Sequence, residues 1–131
     1  MQDRKDATRR RWLEVLDAHR SDWERPGSDK FWSPSLDTAS RDRLRAIQNA
    51  KLAAAVPFLY ENSPFYRRRF ERLGMTPADL QSVDDLPKWP VVDKKEMVED
   101  ALAHPPWGPY TAHDDALWAE LGVLFTEDEL L

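Results

Sequence analysis

Between Ser40 and Gly74 the chain carries two helix start signals and one stop signal, and this punctuation constrains the fold most. Ser40 stands where a cap belongs, ahead of Leu44, Ile47, Leu52, Ala55, Val56 and Leu59 at helical spacing. The spacing predicts a helix over about residues 41–61. Pro57 lies inside that pattern. It lacks a backbone donor and its ring crowds the preceding turn, so a kink or a split is expected there. Ser63 and Pro64 then form a cap and first residue for another helix. Phe65, Tyr66, Phe70 and Leu73 are its expected buried side, and Gly74 is its left-handed stop. Arg67 and Arg68 point outward in this register and Arg69 sits near the boundary. The three arginines are expected to form a solvated or interdomain face that pairs with acids of another body.

Similar signals flank this pair. Trp12, Val15, Leu16, His19 and Trp23 share one face of an amphipathic helix over residues 4–24, which Pro26 and Gly27 stop. A connector over 26–39 has "FWSPSL" at its centre. Thr76-Pro77-Ala78-Asp79 and Ser82-Val83-Asp84-Asp85 mark two short turns. "LPKWPVVDKKEM" is extended up to Asp93, which caps a helix of about 94–103, with Glu96 expected to close a capping box. "HPPWGPYT" is a stiff loop, and 114–121 a last helical turn. Ten prolines against four glycines suit helices joined by stiff connections. The expected fold is mainly α: a small helical module with Pro-rich extended connectors and no substantial sheet. Residues 1–30 are an N-terminal helical extension and 31–131 the module.

Several chemistries find no residues to carry them. There is no cysteine, so disulfides, thiolate metal sites and cysteine nucleophiles are excluded. The four glycines are isolated, which leaves no loop to cradle phosphate. His19, His104 and His113 lack metal-type spacing to helical carboxylates, and the acids of His113-Asp114-Asp115 suit capping charges. No serine stands in a nucleophile elbow. The net charge is −5, yet residues 1–70 hold 15 of the 19 Lys and Arg and only 10 of the 24 Asp and Glu. Both signs interleave there, as on a solvated helix face and unlike a nucleic-acid reader. No apolar run reaches the ~20 residues of a membrane helix. The expectations are therefore a cytoplasmic chain with no nucleic-acid or membrane partner. Among the six tryptophans, three neighbour prolines in connectors, where they anchor loops onto helices or line a pocket or partner surface.

The ordered set from Phe31 onward resembles the N-terminal segment of the phenylacetate–CoA ligase family of adenylate-forming enzymes. It runs through Phe31-Trp32, Leu44, Gln48, Leu52, Tyr60, Asn62-Ser63-Pro64-Phe65-Tyr66-Arg67, Phe70 and Gly74. Pro77, Asp85-Leu86, Pro90 and Lys94 follow, and "HPPWGPYTAHDDALW" resembles the family's approach to its first core strand. The likeness spans about residues 31–125, the opening quarter or so of the family's usual length. In the family, a segment like Val123-Leu124-Phe125-Thr126 leads into a Ser/Thr/Gly-rich phosphate loop. Here Glu127, Asp128 and Glu129 follow and would repel phosphate. The adenine-contacting motif, ribose-binding aspartate and C-terminal catalytic lysine have no counterpart in this sequence.

The resemblance implies ATP, Mg and CoA for a complete family enzyme, and no cofactor, metal or catalytic residue for this chain alone. Two readings stand. One is a module or split subunit that docks on a catalytic ligase body and helps shape its aryl-acid side. The other is a stand-alone helical interaction or regulatory subunit derived from that module. Tyr66, Trp107, Tyr110 and Trp118 are the candidate docking or aryl-side residues. The partner is a ligase body, another protein subunit or a second copy of this chain.

Overall fold

The structure is a computed structural model and describes residues 1–19, 30–31 and 33–104. Five α-helices and two 3-10 turns make up these residues, with no strand among them. The helices are α1 (Gln2–Ala18), α2 (Pro34–Asp37), α3 (Arg41–Asn62), α4 (Pro64–Leu73) and α5 (Lys94–Ala103). The turns cover Pro77–Asp79 and Val83–Lys88. The mainly helical expectation holds. The expected stretch of α1 beyond residue 19, its stops at Pro26 and Gly27, Trp23, Trp32 and everything after His104 lie outside the described residues.

The caps follow from local chemistry. Ser40 and Ser63 accept hydrogen bonds from the N–H groups of Arg43 and Tyr66, each three residues on. Gly74 ends α4 at φ +63°, a left-handed conformation that side chains resist. Asp93 accepts from the Glu96 N–H at 2.7 Å and starts α5. The Glu96 carboxylate does not close a box there, because α4 arginines occupy it. Within the connector, Asp37 turns back to accept from the Ser33 N–H at 2.9 Å, which builds the one-turn helix α2.

α3 is the spine. Val56 and Phe58 are both buried although two residues apart, so they face nearly opposite sides of the helix, about 200° apart. On one side Phe58 and Leu59 meet Trp12 and Leu13 of α1. The Trp12 and Phe58 rings stack at 6.2 Å, and the Asn62 side chain donates to Thr8 Oγ1. The pairings 8 with 62 and 12 with 58 make the helices antiparallel. On the other side Val56 packs with Phe70 of α4 and Leu80, enclosed by Leu52, Tyr60, Met75 and Trp89. Two ties fix the second 3-10 turn to α3: Asn49 Oδ1 accepts from the Val83 N–H, and Arg45 pairs with Asp84.

Pro57 does not split α3, which runs unbroken from 41 to 62. The carbonyl that loses its partner is that of Ala53, an exposed residue where water can serve. Burial of Ala54, Val56 and Phe58 around it offsets the roughly 3 kcal/mol a helix-interior proline costs. Leu73 also departs from expectation. It shares the spacing of Phe65 and Phe70 but is 40% exposed, because the last turn of α4 projects past the core.

Phe58→Ala is expected to cost about 3–5 kcal/mol in urea unfolding, and Leu73→Ala less than about 1 kcal/mol. A second expectation concerns acid. Asp85 accepts from Lys88 Nζ and from the N–H groups of Gln81 and Ser82, which together hold its carboxyl down to about 2, Lys88 contributing most. Its folded pKa lies below the unfolded value of roughly 4. Its contribution is therefore complete above pH 4 and lost as pH falls towards 2. Urea midpoints measured from pH 5 to pH 2 should fall less steeply for Asp85→Asn than for the parent chain.

Candidate functional site

The arginine run of α4 is where sequence and structure part most. Arg67, Arg68 and Arg69 all pair with acids of this same chain. Arg67 stacks on the Tyr60 ring with its guanidinium carbon 4.2 Å from the centroid. It donates to Glu61 at 3.2 Å and to the Tyr60 carbonyl at 3.4 Å, and sits 3.7 Å from Glu71. Arg68 reaches across to Asp100 of α5 at 3.0 Å.

Arg69 is buried, 6% exposed, where a boundary position was expected. One terminal nitrogen meets both Glu96 oxygens at 2.7 Å. The other donates to the carbonyls of Pro90 and Val91 at 2.8 and 2.9 Å. Its guanidinium also lies 5.6 Å from the Trp89 ring, which packs on Phe70 at 4.4 Å. A planar fork serves these separate acceptors, which a lysine ammonium could not. The signal was present in the sequence: Arg69 is four residues after Phe65 and next to Phe70, inside the apolar stripe. Arg72 adds a second bond to Glu96 at 3.0 Å. Arg69 first, then Arg72, holds the Glu96 carboxyl below the usual carboxylate range against a partial desolvation cost.

Between α4 and α5 lies an open cleft of about 430 Å³ lined by Phe65, Arg68, Glu71, Arg72, Glu96 and Asp100. Its cations already face carboxylates, so it is no anion cradle. No cluster of three or more His, Asp or Glu side chains suited to a metal occurs among the described residues. No described helix is long and apolar enough to cross a membrane. Of the candidate docking residues, Tyr66 is half-buried with its ring edge-on to Phe65 at 5.2 Å. Trp107, Tyr110 and Trp118 lie outside the described residues, so the four are not brought together here.

Comparison with known proteins finds CoA ligases both by sequence and by structure. The chain is 35% identical over 78 residues to the phenylacetate–coenzyme A ligase of Thermus thermophilus, covering 60% of this chain and 17% of that one. It is 39% identical over 62 residues to the Escherichia coli enzyme and 42% over 62 residues to that of Aromatoleum evansii, each match covering 47% of this chain and 14% of the relative. This chain resembles a segment of the phenylacetate–coenzyme A ligases. Its fold agrees. A crystal structure of 2-hydroxyisobutyryl-CoA ligase in the postadenylation state, in complex with 2-HIB-AMP, superposes with a TM-score of 0.62 at 30% identity. That match covers 70% of this chain and 19% of the other. No protein-family model matches the chain. The ligase-like segment thus spans less than a fifth of the proteins it resembles.

Arg67→Lys is expected to cost about 0.5–2 kcal/mol in urea unfolding, since the ammonium keeps the charge but loses the planar stack on Tyr60. Arg45→Met, at a solvent-exposed pair, should leave the urea midpoint nearly unchanged.

Proposed function

We propose that this chain is the N-terminal module or split subunit of a phenylacetate–CoA ligase-like, adenylate-forming enzyme. The complete assembly activates an aryl acid with ATP, Mg and CoA, and the module is not catalytic alone. The observation that carries this reading is a sequence match to phenylacetate–coenzyme A ligases together with a fold match to a 2-hydroxyisobutyryl-CoA ligase. Two features support the non-catalytic part. The arginines of α4 are committed to Glu61, Glu96 and Asp100, and the four glycines stand far apart, so this sequence offers phosphate neither a cation cluster nor a backbone cradle. The module's role is to dock on a catalytic body, with Tyr66, Trp107, Tyr110 and Trp118 as the residues proposed to meet it.

The test has two arms. Calorimetric titration of the chain with ATP–Mg and phenylacetate should give no saturable heat, and micromolar ATP binding would overturn the non-catalytic assignment. The second arm adds the chain to a phenylacetate–CoA ligase body expressed without its own N-terminal segment. Complex formation by sedimentation and restored pyrophosphate exchange are expected, and Trp107→Ser with Trp118→Ser should weaken both. If the chain and the body sediment separately at tens of micromolar, the docking role is wrong.

A further inference from the structure

α5 is attached differently from the other long helices. It contributes no fully buried residue, and Val98 and Leu102 on it are 45% and 75% exposed. Facing α4 it presents charge. Glu96 meets Arg69 and Arg72, and Asp100 meets Arg68 with His104 of its own helix 3.8 Å away. The bridging side chains also line the open cleft between the two helices, whose remaining charged wall is Glu71. The segment before α5 is held independently. Arg69 grips the carbonyls of Pro90 and Val91 through a different nitrogen from the one that meets Glu96. The Val91 side chain is 89% exposed, and Asp93 spends its carboxylate on the helix cap.

We propose that α5 is a charge-latched arm, which opens as a unit about residues 91–93 while α1, α3 and α4 stay folded. The latch is the set Arg68, Arg69 and Arg72 against Glu96 and Asp100. The pivot is the stretch between the carbonyls that Arg69 holds and the cap at Asp93. Among the described residues, opening gives up the ion pairs and the partial burial of Met97, Asp100 and Ala101 but no fully buried side chain of α5, and water enters the cleft to solvate the charges it frees. Helices held by ionic bridges with little burial sit at the low-stability end of a fold, whereas α3 is covered on two sides. The inference rests on the α4–α5 geometry and not on the proposed ligase role.

Amide hydrogen exchange on the full chain tests it, with residues 97–103 compared against 52–60. Glu96→Gln keeps the shape of the side chain and removes its charge. It should raise exchange in 97–103 by about tenfold and leave 52–60 unchanged. Because Glu96 also lies in the first turn of α5, a second variant acts from the other helix: Arg68→Met with Arg72→Met should have the same effect without touching α5. Raising NaCl from 50 mM to 1 M should speed exchange in 97–103 of the parent chain, since the arginine ends of the outer bridges, Arg68 and Arg72, are exposed even though Asp100 is largely covered. Unchanged protection of 97–103 in both variants would overturn the proposal. So would a parallel rise in 52–60, which would make α5 part of one cooperative unit.

Discussion

The opposed burial of Val56 and Phe58 organises the molecule. A helix with one apolar face can be covered from one side; a helix with buried residues about 200° apart must be covered from two. α3 therefore lies between α1, which supplies Trp12 and Leu13, and the α4 side, which supplies Phe70 with Leu80 and Trp89. Among the described residues the core is consequently two small clusters on one spine. This also explains the tolerance of Pro57. A proline in a helix bound on two sides has lost one hydrogen bond, but the segment around it is fixed by packing that does not depend on that bond.

Burial of Arg69 follows from the same arrangement. With Phe65 and Phe70 turned inward, helical spacing carries Arg69 inward too. A buried guanidinium is tolerable only with acceptors around it, and two carbonyls and a carboxylate supply them. The residues from Trp89 to Glu96 are thus ordered by a cation as much as by apolar contact. Trp89 covers Phe70, its neighbours Pro90 and Val91 offer backbone oxygens, and Glu96 closes the ring of acceptors.

What was legible in the sequence was mostly local. Ser40, Ser63-Pro64, Gly74 and Asp93 act within one turn of themselves, so the bounds of α3, α4 and α5 could be placed almost to the residue. The one-turn α2 was missed because its signal, Ser33 facing Asp37, lies inside a proline-containing connector. Arginine pairing was missed for a different reason. Asp100 is 32 residues from Arg68 and Glu96 is 27 from Arg69, and no local pattern says which acid a guanidinium will meet. Leu73 shows the limit of periodicity itself: spacing gives the face of a helix but not how far along that face the core extends.

Internally paired charge bears on how such a segment could join a larger protein. Had Arg67, Arg68 and Arg69 lacked partners, they would have been natural contacts for acids of another body. Each is instead engaged within the chain, and breaking the Arg69 bridge would leave a buried charge uncompensated unless it reached water. An incoming surface would gain little there. Exposed apolar side chains offer more, because covering them removes area from water without undoing existing bonds. Leu86, Val91, Val98 and Leu102 are such side chains, and three of them lie on α5 or in the segment leading to it. The exposed apolar side chains of α5, Val98 and Leu102, are thus carried on a helix whose position is set by the arginine row of α4.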